Sequence, residues 1–185
     1  MACFSDTFVV YADDDSAATF AAIEQVARWI VNEHIQQHMP LRAAISCEEL
    51  YADKDGSIFI GRALLEAYKN EEDQAWIGFL LCRSATRRLK ELGLLPSERL
   101  NYRRYKIPWK TPTRSEHKAL YAYLIGTSCP SNGKNLYLEK LREMMAAAKT
   151  RKVKSMYRKT IQFLEYYGVL RPVGAAVAHL DDRAN

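Results

Sequence analysis

At 185 residues, with 48% hydrophobic and 11% aromatic content, the chain is long enough to bury a sizeable core, which excludes wholesale disorder. No apolar run approaches the ~20 residues that span a bilayer, so no membrane partner is expected. The net charge of +5 hides an asymmetry: residues 1–76 hold 14 Asp/Glu against 5 Lys/Arg, whereas residues 77–185 hold 8 against 22. Such halves can dock on each other, offer a basic face to a polyanion, or simply carry solvated charged faces.

In chain order, Phe4-Ser5-Asp6-Thr7-Phe8-Val9-Val10-Tyr11 reads as a strand over 4–11 with a carboxylate at its tip. The early acid and the lack of a basic leader are unlike a signal peptide, so a cytoplasmic location is expected. Asp13-Asp14-Asp15-Ser16 supplies turn and N-cap chemistry. Phe20, Ile23, Val26, Ala27, Ile30, Val31 and Ile35 then recur at helical spacing, predicting a helix over 17–38 that Pro40 stops. A short strand follows at 41–46, extended chain to Tyr51, and a turn at 53–56. A brief apolar strand at 57–60 leads through Gly61 into a helix over 62–73. Residues 76–82 read as a buried strand, and Ser84 opens a basic helix that Gly93 ends.

Residues 102–110 suit an edge strand, with Tyr105, Ile107 and Trp109 on the core face and Arg104 and Lys106 outward. Residues 119–125 are ambiguous between strand and helix, and 129–133 read as a loop. Two amphipathic helices are expected over 136–148 and 154–167, the second with a basic outer face. Residues 171–185 read as a flexible tail. The mixture of hairpins and crossover helices predicts an α+β fold with helices on one face of a sheet.

Few side-chain patterns carry chemistry. Cys3, Cys47, Cys82 and Cys129 are scattered without a C-x-x-C and read as reduced thiols. Cys47 stands beside Glu48 and Glu49, which oppose thiolate formation. His34 and His38 have metal-pair spacing on a helix, but no third ligand is nearby, so they read as a helix-end pair. Three basic clusters lie between residues 83 and 159: Arg83 to Lys90, Arg99 to Lys110, and Lys149 to Lys159. Cations interleaved with aromatics can track a phosphate backbone, so nucleic acid is a candidate partner.

The order of these segments resembles the palm domain of class III nucleotidyl cyclases, a ferredoxin-like fold. Within that family it is most similar to a group of poorly characterised bacterial cyclase-like proteins. The segment from Phe4 to Tyr11 looks like the metal-site hairpin, Leu41-Arg42-Ala43-Ala44-Ile45-Ser46 like the strand after it, and Ile58-Phe59-Ile60-Gly61-Arg62-Ala63-Leu64 like the glycine-initiated helix. Tyr105-Lys106-Ile107-Pro108-Trp109-Lys110 and Tyr157-Arg158-Lys159-Thr160-Ile161 match later segments.

The resemblance implies a partial palm over 1–110, a mainly helical extension over 111–170, and a homodimer. It implies Asp6 as a ligand for Mg²⁺ or Mn²⁺, and Arg42 and Lys69 as contacts for a purine nucleoside triphosphate. Asp6 reads equally well as turn chemistry. The family's first metal aspartate has no counterpart, because no strand is expected before Asp6. Leu65 stands where active members place an asparagine, Lys69 where they place an arginine, and Ala43 and Glu48 where the related group has glycines. The expectation is therefore a cyclase-like nucleotide-binding, signalling or interaction module with a degenerate site. The alternatives are a nucleic-acid-binding protein using the basic half, and an active cyclase if a missing strand or partner chain completes it.

Overall fold

The computed structural model describes residues 2–4, 7–53, 58–95, 101–111, 119–125 and 136–168. Asp6, Arg99, most of the turn expected at 53–56, the 129–133 loop and the 171–185 tail lie outside the described residues.

The run read as one strand over 4–11 is an antiparallel hairpin, β1 (Ala2–Phe4) with β2 (Thr7–Val9), paired Ala2↔Val9 and Phe4↔Thr7. A strand therefore does precede Asp6, which corrects the expectation that none would. That strand is Ala-Cys-Phe and brings no carboxylate.

Helix α1 (Ala17–Gln36) starts where its cap chemistry dictates. Ser16 Oγ accepts from Thr19 N at 3.2 Å, and Asp14 Oδ1 accepts from Ser16 N at 2.8 Å. The helix ends at Gln36, and the chain turns at His38, in the left-handed region at φ 58°, two residues before Pro40. Hydrogen bonds from the Thr19 side chain, then from Ser16, hold the Asp14 carboxyl down at about 2, against an ordinary 3.8. A carboxyl depressed by folding contributes stability that is fully present above pH 3.8 and is lost as pH falls through about 2. We expect an NMR titration of Asp14 to give a midpoint near 2, and Thr19→Val to move it towards 3.8. An ordinary midpoint in the unmodified chain would contradict this cap.

The remaining elements are β3 (Ala43–Ile45), β4 (Tyr51–Asp53), β5 (Ile58–Ile60), α2 (Arg62–Asp73), β6 (Phe79–Leu81), α3 (Arg83–Glu91), β7 (Tyr102–Tyr105), β8 (Leu120–Tyr123), α4 (Leu136–Ala147) and α5 (Arg151–Gly168). Four strands form a mixed sheet in the order β3-β6-β8-β7, parallel only between β3 and β6. β4 and β5 form a separate hairpin. The fold is α+β with a helical C-terminal part. The ambiguous segment 119–125 resolves as β8, which sits between β6 and β7. Residues from the stretch expected to be an extension thus complete the sheet itself.

Glycine has a steric role at the entrance to α2. A Cβ on Gly61 would stand 2.2 Å from the Glu49 carbonyl oxygen. That carbonyl accepts from Ala63 N and so satisfies the helix start. Gly93, at φ 68°, ends α3 as Leu94 N reaches back to Leu89 O and Gly93 N to Lys90 O, a Schellman closure.

The core lies on both faces of the sheet, so β6 is buried along its whole length. Helix α5 covers one face. Phe163 packs on Trp76 and Tyr105 with ring centroids 5.1 and 4.6 Å apart, and the buried Thr160 hydroxyl accepts from Ile77 N at 2.9 Å. Tyr102, three residues from Tyr105, points to the other face, where Arg28 of α1 lies 5.9 Å over the Tyr123 ring. The single helical layer expected from the sequence is joined there by α1, whose Val31 and Ile35 are core residues.

Candidate functional site

A cleft of about 1850 Å³ opens between β2, α1, the outer strand β3 and α2. It exists because β3 pairs with β6 on one edge only, and the β1–β2 hairpin belongs to a different sheet. Apolar groups from α1 (Phe20, Ile23, Ala27) and α2 (Leu64, Ala67) line it, with Met156 and Tyr157 from the start of α5. Charged groups gather at the lining too: Asp13 to Asp15, Glu48 and Glu71 beside Arg42, Arg87, Arg88, Lys110 and Lys152.

Most of those charges are already matched. Arg42 Nε lies 2.8 Å from Glu71 Oε1, and its Nη1 donates to the Glu72 and Gln74 carbonyls at 3.3 and 3.4 Å. Arg42 therefore closes the C-terminal end of α2, where a cation meets the negative end of the helix dipole. Burial raises the Glu71 carboxyl above its ordinary value, and Arg42 opposes that shift. Arg87 pairs with Glu48 at 2.9 Å, and Arg88 with Asp15 at 3.0 Å. The Lys110 ammonium donates to the Glu72 carbonyl.

The expected site residues separate in space. Thr7 to Val10, the residues just after Asp6, line the cleft, as does Arg42. Lys69 is exposed on α2 and does not line it; neither does Leu65, one turn earlier and 57% exposed. His34 and His38 do not face a common ion. His34 Nδ1 lies 2.8 Å from the Ile30 carbonyl, and His38 Nε2 lies 3.0 Å from Glu143 Oε2, tying the end of α1 to α4. Among the described residues, no three His, Cys, Asp or Glu side chains converge as ligands.

Two polar centres carry no clear mark in the sequence. Gln74 is fully buried; its Oε1 accepts from Trp76 Nε1 at 2.8 Å and its Nε2 donates to the Ala43 carbonyl at 3.3 Å. Glu66 accepts from the Ser84 hydroxyl, and Ser84 Oγ accepts from Cys47 N at 2.8 Å. A carboxylate at the start of α3 suits the positive end of that helix. The one signal is Ser84 near a helix start, read from the sequence as the cap; the N-cap is Cys82, and Ser84, inside α3, spends its hydroxyl on Glu66 and Cys47 instead. Burial, then Glu66, pushes the Cys82 thiol far up, and burial with Asp15 raises Cys47, so neither is a ready nucleophile.

No family model, no curated protein and no solved structure matches this chain. No helix among the described residues is long and apolar enough to cross a membrane.

Proposed function

We propose that this chain is a cyclase-like nucleotide-binding and regulatory module that does not cyclise nucleotide as it stands. The observation that carries the reading is the cleft: it is lined by β2, which directly follows Asp6 in the chain, and by Arg42, and the resemblance assigns Asp6 and Arg42 to the nucleotide site. Its mixed lining suits a ligand with an apolar ring system at one end and phosphates at the other. A triphosphate would compete with Glu71 for Arg42.

Among the described residues no three carboxylates, histidines or cysteines converge to hold an ion, and β1 is Ala-Cys-Phe, without a carboxylate. A hard divalent ion prefers several oxygens, so Mg²⁺ or Mn²⁺ would enter as the triphosphate complex, with Asp6 supplying one more ligand. The proposed homodimer is supported by exposed apolar groups at the β4–β5 hairpin and α2: Tyr51, Ile60, Leu65 and Tyr68 are each more than half exposed. Lys69, turned to solvent, would meet nucleotide only across such an interface.

Asp6→Asn tests the assignment by removing charge and leaving shape. We expect nucleoside triphosphate affinity in Mn²⁺ to fall about tenfold, a loss of about 1.4 kcal/mol, with neither chain binding nucleotide in EDTA. Equal affinity of Asp6→Asn and the unmodified chain in Mn²⁺ would leave Asp6 with turn chemistry alone.

A further inference from the structure

The charge asymmetry of the sequence is resolved very unevenly by the fold. In the acidic half, carboxylates are taken up by arginines: Glu24 by Arg28, Glu48 by Arg87, Glu49 by Arg62, Glu71 by Arg42 and Asp15 by Arg88. The cations between Lys149 and Lys159 have no such relief. Among the described residues, none of Lys149, Arg151, Lys152, Lys154, Arg158 and Lys159 forms a side-chain ion pair or hydrogen bond.

Their placement is also costly to the helix. The first turn of α5 holds no acid, and Arg151, Lys152 and Lys154 sit at its positive end, where cations are disfavoured. Thr150 caps that end, its Oγ1 accepting from Val153 N at 3.2 Å. At 100° per residue, the five α5 cations share one arc opposite the buried Tyr157, Thr160, Phe163 and Leu164. The same arc ends in an aromatic. Lys152, Lys159 and Tyr166 stand seven residues apart in one row about 21 Å long, and Tyr166 is 64% exposed.

We propose that this face of α5 binds single-stranded nucleic acid, with the phosphate backbone along the cations and a base against Tyr166. This surface is separate from the nucleotide reading above except at Lys152, which also lines the cleft. A bilayer fits less well, because the apolar stripe of α5 is already spent on the core. The acidic face of a second copy fits less well too, because Asp15, Glu24, Glu48, Glu49 and Glu71 are already paired with arginines. Backbone contacts supply affinity and stacking supplies the preference for unpaired bases.

The test uses the full chain and fluorescence anisotropy with a labelled thymidine oligonucleotide of about 16 nucleotides. Between about 50 and 200 mM salt, log K should fall with log salt at a slope of about −2 to −4. K154Q/R158Q/K159Q, which spares the cleft, should weaken binding at least about tenfold and flatten the slope by about 2. Tyr166→Ala should weaken it about tenfold with the slope unchanged. The triple variant should unfold at the same or a higher temperature than the unmodified chain, because it relieves the like-charge repulsion between Lys154 and Arg158, four residues apart on α5. Its heat of binding to ATP should be unchanged, so this proposal and the nucleotide reading can fail separately. No binding by the unmodified chain at about 50 mM salt would overturn the proposal. So would full affinity of the triple variant, or tighter binding of a duplex of the same sequence.

Discussion

Phe163→Ala is expected to destabilise the fold by about 3–5 kcal/mol, a large fraction of the stability of an ordinary domain. Phe163 is 1% exposed and touches three other rings, Trp76, Tyr105 and Tyr167, with centroids 4.6 to 5.2 Å away. The rings come from α5, β7 and the segment before β6, so the cavity would open where three parts of the chain meet. Trp76 and Tyr105 are held elsewhere, by Gln74 and by the β7–β8 ladder, and cannot collapse freely into the gap. Urea unfolding should show a lower midpoint with an unchanged slope. Phe163→Leu should lose clearly less, because it keeps most of the buried area. Equal losses would show that the ring contacts of Phe163, and not its buried area, hold α5 to the sheet.

Gln74→Met should cost about 2–4 kcal/mol although it preserves volume and adds no charge. The glutamine side chain satisfies the Trp76 indole N–H and the Ala43 carbonyl in a site with no solvent access. Its backbone also bridges Trp109, while Ala75 N donates to the Pro108 carbonyl at 2.7 Å. Methionine leaves the indole donor buried and unpaired, and that desolvation is the main part of the cost. Gln74→Glu tests the same point differently, since it keeps the acceptor but removes the donor and adds a buried charge. Thermal unfolding of the two variants checks the assignment; a shift of less than about 2 °C for Gln74→Met would contradict it.

Much of the secondary structure is legible in the sequence because it rests on local chemistry. Ser16 marks the start of α1 by capping, and Pro40 and Gly93 mark chain reversals by their backbone preferences. Period-two spacing sets Tyr105, Ile107 and Trp109 on the core side of their segment, where they pack. Strand pairing is not legible in the same way. Leu120 to Tyr123 carries no mark of belonging between β6 and β7, because periodicity fixes the face of a strand and not its neighbour. Nor does Gln74, between an aspartate and an alanine, look buried; its role depends on Ala43 arriving from a distant segment to meet it beside Trp76, two residues on.

The cleft is invisible in the sequence for the same reason. It is bounded by what β3 lacks on its outer edge, a tertiary property. Arg42 illustrates the limit of a residue-by-residue resemblance. Its type and position suit a phosphate contact, yet the fold has given it Glu71 and the end of α2 to hold. The same arginine can serve both ends only if nucleotide competes with the carboxylate.

Whether that cleft takes up nucleotide can be read by isothermal titration of the folded chain with ATP and GTP, in Mn²⁺ and in EDTA. Saturable heat is expected with at least one nucleotide, present in Mn²⁺ and lost in EDTA. No heat with either nucleotide in Mn²⁺, from a sample shown by circular dichroism to be folded, would contradict nucleotide binding in the cleft.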